Sequence, residues 1–403
     1  MNVLRVRALA VALGCVAVVL AGCGTGGASV PQSAGGHHTK HSHSAPTSPP
    51  SASASVTSNV SRGATGVPVD HRLQVTADHA TLSSVTVSSR SGSVPGRMSA
   101  DKTSWSAGAL LEPGTAYTVT TAATTESGQA LNRVTHFHTA ALTLDQQTFP
   151  SITPLNGETV GVGMPVIVTF DVPVTDRASI EKHLHVASAP AQKGSWHWIS
   201  DTEVHWRPAT YWKAGTRVTV NADINSVPAG NGIYGQLNRQ IQFNVGDAHI
   251  YKVDARTDEM HVYSNGRLLR TVPVTTGKPG FVTRSGIKVI IEKDRHQRMN
   301  SETIGIDPNG PEGYNIGDVE FAMRLTYTGE FLHAAPWSVA DQGHANVSHG
   351  CTGMSTANAD WLYHMSRLGD VVETTGTTRP MTLTNGYGDW NESFAQYKQG
   401  SAL

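Results

Sequence analysis

Between residues 63 and 247 the apolar side chains alternate with polar ones and never settle into a three-to-four-residue period. Leu73-Gln74-Val75-Thr76, Ser84-Val85-Thr86-Val87, Tyr117-Thr118-Val119-Thr120, Val166-Ile167-Val168-Thr169-Phe170 and Arg217-Val218-Thr219-Val220 are typical runs, broken by Gly, Pro and Asn. Alternation of this kind makes half-buried strands, because successive side chains point to opposite faces of a sheet. Turn residues recur at the spacing of an all-β sandwich. A weak internal repeat divides the region in two. Trp105 is followed nine residues on by Gly114-Thr115-Ala116-Tyr117-Thr118-Val119, and Trp206 nine residues on by Gly215-Thr216-Arg217-Val218-Thr219-Val220. Leu131-Asn132-Arg133 is echoed by Leu237-Asn238-Arg239, so the copies are offset by 101 to 106 residues. That is about one sandwich length.

The expected fold is therefore mainly β, beginning with two tandem immunoglobulin-like β-sandwiches at 63–143 and 144–247. Neither contains a pair of cysteines, so apolar burial alone must hold them together. A different β-rich domain is expected at 248–375. There Ser264-Asn265-Gly266-Arg267 marks a hairpin, since both central residues accept positive φ. Leu268–Thr275 reads as the return strand and Ile287–Glu292 as another strand. Ser355–Leu368 is the one short helix, capped by Ser355. Residues 376–403 form a C-terminal extension.

The other end carries targeting information. Arg5 and Arg7 precede an apolar run from Ala8 to Ala21, shorter than a comfortable membrane span and fitting a signal-peptide core. Residues 23–62 contain almost no large apolar side chains and cannot bury enough surface to fold, so they read as a disordered Ser/Pro/His-rich tether. His37, His38, His41 and His43 fall inside it and read as part of a polar linker rather than as a metal site. Thirty basic and 31 acidic residues leave a formal charge of −1, which offers no electrostatic case for nucleic acid.

Three cysteines occur: Cys15, Cys23 and Cys351. Downstream of Cys23 the single thiol stands in Ser348-His349-Gly350-Cys351, with His333 eighteen positions earlier. A lone thiol has no intramolecular disulfide partner, and a thiol beside histidines is a candidate nucleophile. Acyl transfer requires a base to take the thiol proton and return it to the leaving amine. It also requires a group that holds the base in one tautomer. A glycine beside the nucleophile lets backbone amides approach a developing oxyanion. A metal site built from Cys351, His333 and His349 lacks any CxxC or HxxxH spacing, and no cofactor or metal is expected.

Taken together, these residues resemble a known family. His333, fourteen intervening residues and Ser348-His349-Gly350-Cys351 are similar to the catalytic signature of the L,D-transpeptidases (YkuD type). His333-Ala334-Ala335-Pro336-Trp337-Ser338, Gly343-His344, Asn346, Met299–Thr303 and Gly388-Asp389-Trp390-Asn391 look like its actinobacterial lipoprotein branch. Leu20-Ala21-Gly22-Cys23 resembles a lipobox, which implies a lipoprotein signal peptide at 1–22, cleavage before Cys23, lipidation of that cysteine and an extracytoplasmic, membrane-anchored protein facing the cell wall. The resemblance implies a β-rich catalytic domain that makes 3→3 cross-links between diaminopimelates of peptidoglycan stem peptides. It would act through a Cys351 thioester, with loss of D-Ala. Carried over by position, Cys351 is the nucleophile, His333 the base, and Ser348, His349 and Gly350 shape the thiol environment. The Ala334 carbonyl orients His333. Tyr314 is a lid tyrosine, Met299 and Ser301 line the donor cleft, and Trp337 and Asn346 complete the substrate-facing set. Carbapenems are the implied covalent inhibitors. Two departures stand out. Cys351-Thr352-Gly353 replaces the family's usual Cys-hydrophobic-Asn or Cys-hydrophobic-Arg, and Thr283-Arg284-Ser285-Gly286 replaces Thr-Pro-x-Gly. Rival readings are an L,D-carboxypeptidase using the same thioester, attachment of a protein to the wall by that chemistry, and a non-catalytic wall-binding lipoprotein. The sandwiches are expected to act as a rigid spacer.

Overall fold

The computed structural model describes residues 53–403. The signal peptide, Cys23, the four tether histidines and most of the tether lie outside the described residues. The first sandwich pairs a sheet ordered Ser55–Ser58, Gln74–Asp78, Ser104–Ala107, Gly96–Met98 with one ordered Gly92–Val94, Ala80–Ser89, Ala116–Thr125, Ala130–His138. Between them Leu73, Val75, Leu82, Trp105, Leu111, Val119 and Phe137 form the core. One expectation is corrected here. Residues 55–58 were assigned to the tether, yet they form a strand paired antiparallel with Gln74–Asp78. Val56 and Val60 are buried in the same core. A four-residue strand with one inward valine is too short to stand out from a Ser/Thr-rich linker.

The second sandwich sets Pro150–Thr153, Val166–Phe170, Glu203–Pro208 and Gly194–Trp198 against Thr159–Val160, Arg239–Val245, Arg217–Ala222 and Leu184–Ala189. A short helix, Arg177–Glu181, was not anticipated. The sequence repeat has a structural counterpart. Trp105 and Trp206 are both buried, and each lies under a glycine of the paired strand. A Cβ on Gly96 would sit 1.9 Å from the Trp105 ring, and one on Gly194 2.3 Å from the Trp206 ring. No side chain fits in either place.

The third unit stacks a six-stranded sheet (Arg267–Pro273, Glu259–Ser264, His249–Asp254, Val371–Thr375, Arg284–Val289, Arg379–Pro380) and a four-stranded one (Glu292–Asn300, Asn315–Arg324, Phe331–Ala334, Thr352–Met354) around Tyr251, Val262, Ile290, Met323, Leu332 and Leu362. Asn265 and Gly266 turn the expected hairpin at φ of 49° and 79°. The predicted strand Ile287–Glu292 is instead Arg284–Val289, and Glu292 opens the next strand, a long, largely exposed arm. The helix is Thr356–Met365, with Ser355 Oγ accepting from the Asn358 amide.

The second sandwich and the third unit are not separated by a free joint. Val371 belongs to the sandwich core. The Gly161 and Gly163 amides donate to the Leu368 and Gly369 carbonyls at 2.7 and 2.8 Å. The C-terminal residues close the same junction. Trp390 Nε1 donates to the Gly163 carbonyl at 2.7 Å, and Asn391 accepts from the Ile287 amide at 2.8 Å. Arg207 stacks against the rings of Trp390 and Tyr397.

Candidate active site

Phe331–Ala334 is buried along its whole length and pairs in parallel with Thr352–Met354, placing His333 opposite Gly353 and Cys351 at the mouth of the second strand. The connection between them is pinned down. Asn346 accepts from the Thr276 amide and hydroxyl and donates to the Ala255 carbonyl at 2.7 Å. Thr275 Oγ1 donates to the Ala345 carbonyl at 2.7 Å. Ser348 bridges to Gly277. Ser348 Oγ donates to the Cys351 carbonyl at 2.6 Å and accepts from the Gly350 amide at 3.1 Å. Gly350 takes a φ of +122°, strained for any side chain, and its carbonyl accepts from Thr283 Oγ1 at 2.9 Å. The glycine is thus used for its backbone turn, and its amide is already engaged.

His333 is buried, and its Nδ1 lies 2.7 Å from the Ala334 carbonyl. A carbonyl only accepts, so Nδ1 carries the proton and Nε2 is left as the acceptor of the neutral ring. Burial holds the imidazole below its ordinary value, the Ala334 contact opposing it. Cys351 is half-buried as a residue, but its sulfur is enclosed, 3.6 Å from the Gly329 carbonyl. Burial pushes the thiol up to about 12. At rest, therefore, the pair is neutral imidazole and neutral thiol, and the proton must move when an acyl carbon arrives.

Both groups line one cavity of about 330 Å³, together with Met299, Tyr314, Trp337, Ser348 and His349. Trp337 is 57% exposed and lies over the His333 ring with centroids 5.9 Å apart. Tyr314 is pushed up to about 12 by burial and then by the neighbouring Cys351, so its hydroxyl remains a donor. His349 packs between Phe281 and Tyr314 and meets Glu312 at 3.1 Å. Glu312 in turn contacts Lys278, which is the main cause holding its carboxyl below the usual range.

Two members of the expected substrate-facing set, Asn346 and Ser301, do not face the cavity. Asn346 is consumed in holding the loop. Ser301 is fully buried, donating to the Ile306 carbonyl and accepting from the Tyr314 amide, both at 3.1 Å, so it props the Tyr314 backbone instead of lining the cleft. Ala334 is buried and contributes only its carbonyl, behind His333. Gly353 does line the cavity, but a Cβ there would lie 2.9 Å from the Ala335 Cβ and 3.2 Å from Thr275. The Arg284 departure concerns more than a loop. Its guanidinium reaches Glu330 at 2.9 Å, and Glu330 also meets the fully buried Lys288 at 2.7 Å. Sequence reasoning missed this trio; its signal was a lysine inside the apolar run Ile287-Lys288-Val289-Ile290-Ile291. No group of three or more His, Cys, Asp or Glu side chains among the described residues is placed to hold a metal ion.

Known proteins resemble both the sandwich and the catalytic parts of this chain. Residues 248–374 match the L,D-transpeptidase catalytic domain, and residues 64–228 match a bacterial Ig domain. L,D-transpeptidase 2 of Mycobacterium tuberculosis is 38% identical over 351 residues, covering 86% of this chain and 85% of that one. L,D-transpeptidase 5 of the same organism is 33% identical over 77% of this chain and 68% of its own length. A solved L,D-transpeptidase in complex with imipenem superposes with a TM-score of 0.50 at 36% identity, covering 57% of this chain and 99% of that one. With two β-sandwiches, a His333/Cys351 cavity and a close relative matched over most of both chains, this protein belongs to the L,D-transpeptidase family.

Proposed function

We propose that this protein is a peptidoglycan L,D-transpeptidase that joins stem peptides 3→3 through a thioester on Cys351. The observation that carries the reading is His333 held with Nδ1–H on the Ala334 carbonyl, so that Nε2 is free to take a proton in the cavity it shares with the thiol. As Cys351 Sγ adds to the diaminopimelate carbonyl of a tetrapeptide stem, its proton passes to His333 Nε2. The Tyr314 hydroxyl, which lines the same cavity, and the Cys351 amide are the donors assigned to the developing oxyanion. Collapse expels the D-Ala amine, which takes the proton from His333 and leaves the thioester. A diaminopimelate amine of a second stem then attacks the thioester, giving its proton to His333. Collapse forms the amide and returns the proton to the sulfur. A carbapenem enters the same path, its β-lactam carbonyl acylating Cys351 with no amine able to leave.

Mass spectrometry of the protein incubated with a disaccharide-tetrapeptide tests this. A dimer lacking one D-Ala and linked between diaminopimelates is expected, and it should vanish in Cys351→Ala while the melting transition stays in place. A tripeptide alone would make the protein an L,D-carboxypeptidase. Turnover retained by Cys351→Ala would remove the thioester from the mechanism, and no turnover by the wild type would favour a wall-binding role.

The reading extends to placement. The apolar run Ala8–Ala21 and Leu20-Ala21-Gly22-Cys23 support export, cleavage before Cys23 and anchoring by lipid on that thiol, which sets the site against the wall. Cys23→Ala should abolish incorporation of labelled palmitate; undiminished labelling would refute the anchor.

A further inference from the structure

Behind the nucleophile lies a buried charge cluster that the reaction as described does not use. Lys288, on strand Arg284–Val289, has no exposed surface. Its Nζ is 2.7 Å from Glu330, yet the two atoms are not aligned as a hydrogen bond, and Nζ has no other hydrogen-bond partner among the described residues. Glu330 is buried too, and its second oxygen accepts from the Arg284 guanidinium at 2.9 Å and the Arg284 amide at 3.1 Å. Two cations therefore face one anion. The cluster is adjacent to the thiol: Cys351 Sγ rests 3.6 Å from the carbonyl of Gly329, the residue before Glu330. The Glu330 Cγ would lie 3.7 Å from a Cβ on Gly350, the residue before Cys351. A buried ion pair contributes little to stability compared with apolar side chains of the same size, so packing alone does not account for it.

We propose that Lys288 and Glu330 are positioning residues whose opposed charges, fixed in the dry interior behind Cys351, set the pH at which its sulfur becomes nucleophilic. This rests on the reading of Cys351 as the nucleophile. The other groups facing the sulfur are the neutral His333 and Tyr314, and Arg324, which is paired with Glu292 at 2.6 Å. His349 is engaged by Glu312. Burial raises the thiol, the Phe331 backbone draws it down, Glu330 raises it further, and Lys288 and Arg324 draw it down again. Burial likewise lowers the Lys288 ammonium, and Glu330 opposes that loss. When the Cys351 proton passes to His333, the transient thiolate faces the Lys288 ammonium across a low dielectric, where a fixed cation has its largest effect.

The test is the rate of iodoacetamide alkylation at Cys351 against pH, read on the Cys351 peptide by mass spectrometry, in full-length wild type, Lys288→Met and Glu330→Gln. In this probe the thiolate forms the C–S bond and iodide leaves, so no stem peptide is involved. Lys288→Met should move the profile to higher pH by roughly one unit and Glu330→Gln to lower pH by a similar amount. A purely structural role would move both the same way or neither, and either result overturns the proposal. If one variant loses its cooperative melting transition, the direction of the other decides. Flat profiles with Cys351-dependent turnover would sink this inference alone. Shifted profiles with turnover surviving in Cys351→Ala would sink the functional reading alone.

Discussion

At the scale of single residues, the site depends on how each polar atom is occupied. His333 is kept neutral by burial and fixed in tautomer by one carbonyl. Because its folded value lies below the ordinary imidazole value, the base stays competent to lower pH than a free histidine. The acid limb of kcat/KM should therefore fall below about pH 6.5; a limb at or above that value would mean the ring is more solvated than its burial implies. Gly353 gives a second prediction. The asparagine or arginine usual in the family is not simply missing here, because the place for its Cβ is taken by Ala335 and Thr275. Gly353→Asn should therefore push apart the Thr352–Met354 pairing that presents Cys351, lowering turnover on the order of 10²-fold. Equal or higher turnover in that variant would show that the strand yields without cost.

Among elements, the C-terminal segment behaves as a clasp. His205 offers one ring nitrogen to Asp389 and the other to Glu203, both at 2.9 Å, so both nitrogens donate and the ring is charged. Burial works against that charge, but Asp389 and then Glu203 overcome it and hold the ring at about 9. Tyr397 donates to the same Asp389 oxygen at 2.8 Å, and Arg207 donates to the Asp389 and Glu392 carbonyls. A folded-state value raised above the ordinary 6.5 contributes stability that is complete below that pH and is lost as pH rises through about 9. The difference in melting temperature between wild type and His205→Gln should be largest below neutrality and close as the solution passes pH 9. A difference independent of pH would assign His205 a packing role only.

For the whole molecule, the expectation that both sandwiches serve as a spacer needs dividing. The first touches the second through Leu110, which packs against the second core, and through polar contacts such as Ser226 Oγ to the Leu111 carbonyl at 2.6 Å and Asn225 to Glu112 at 3.1 Å. The second shares its core with Val371 and its backbone with Leu368 and Gly369. Removing residues 53–143 should leave turnover of soluble stem peptides within a few-fold of wild type, whereas replacing 144–247 by a Gly/Ser linker should abolish it through loss of folding. Full activity of the second variant would restore the spacer view. What the amino-acid order determined by itself is what is local or periodic. Alternation gave the strands, the Trp-Gly repeat divided the sandwiches, Asn265-Gly266 turned the hairpin, and Ser348-His349-Gly350-Cys351 with His333 marked the thiol and its base. Only the tertiary structure decided which atoms were already engaged. Ser301 and Asn346 read as cleft residues because the family resemblance carries that role to their positions, but burial and hydrogen bonding turned both inward. The strand at Ser55–Ser58, the Asp389 clasp and the Lys288–Glu330 pair escaped sequence reading because each is formed by a partner distant in the chain. A lysine in an apolar run shows that Lys288 needs a partner, but a residue's neighbours in sequence do not say which one, so only packing reveals it.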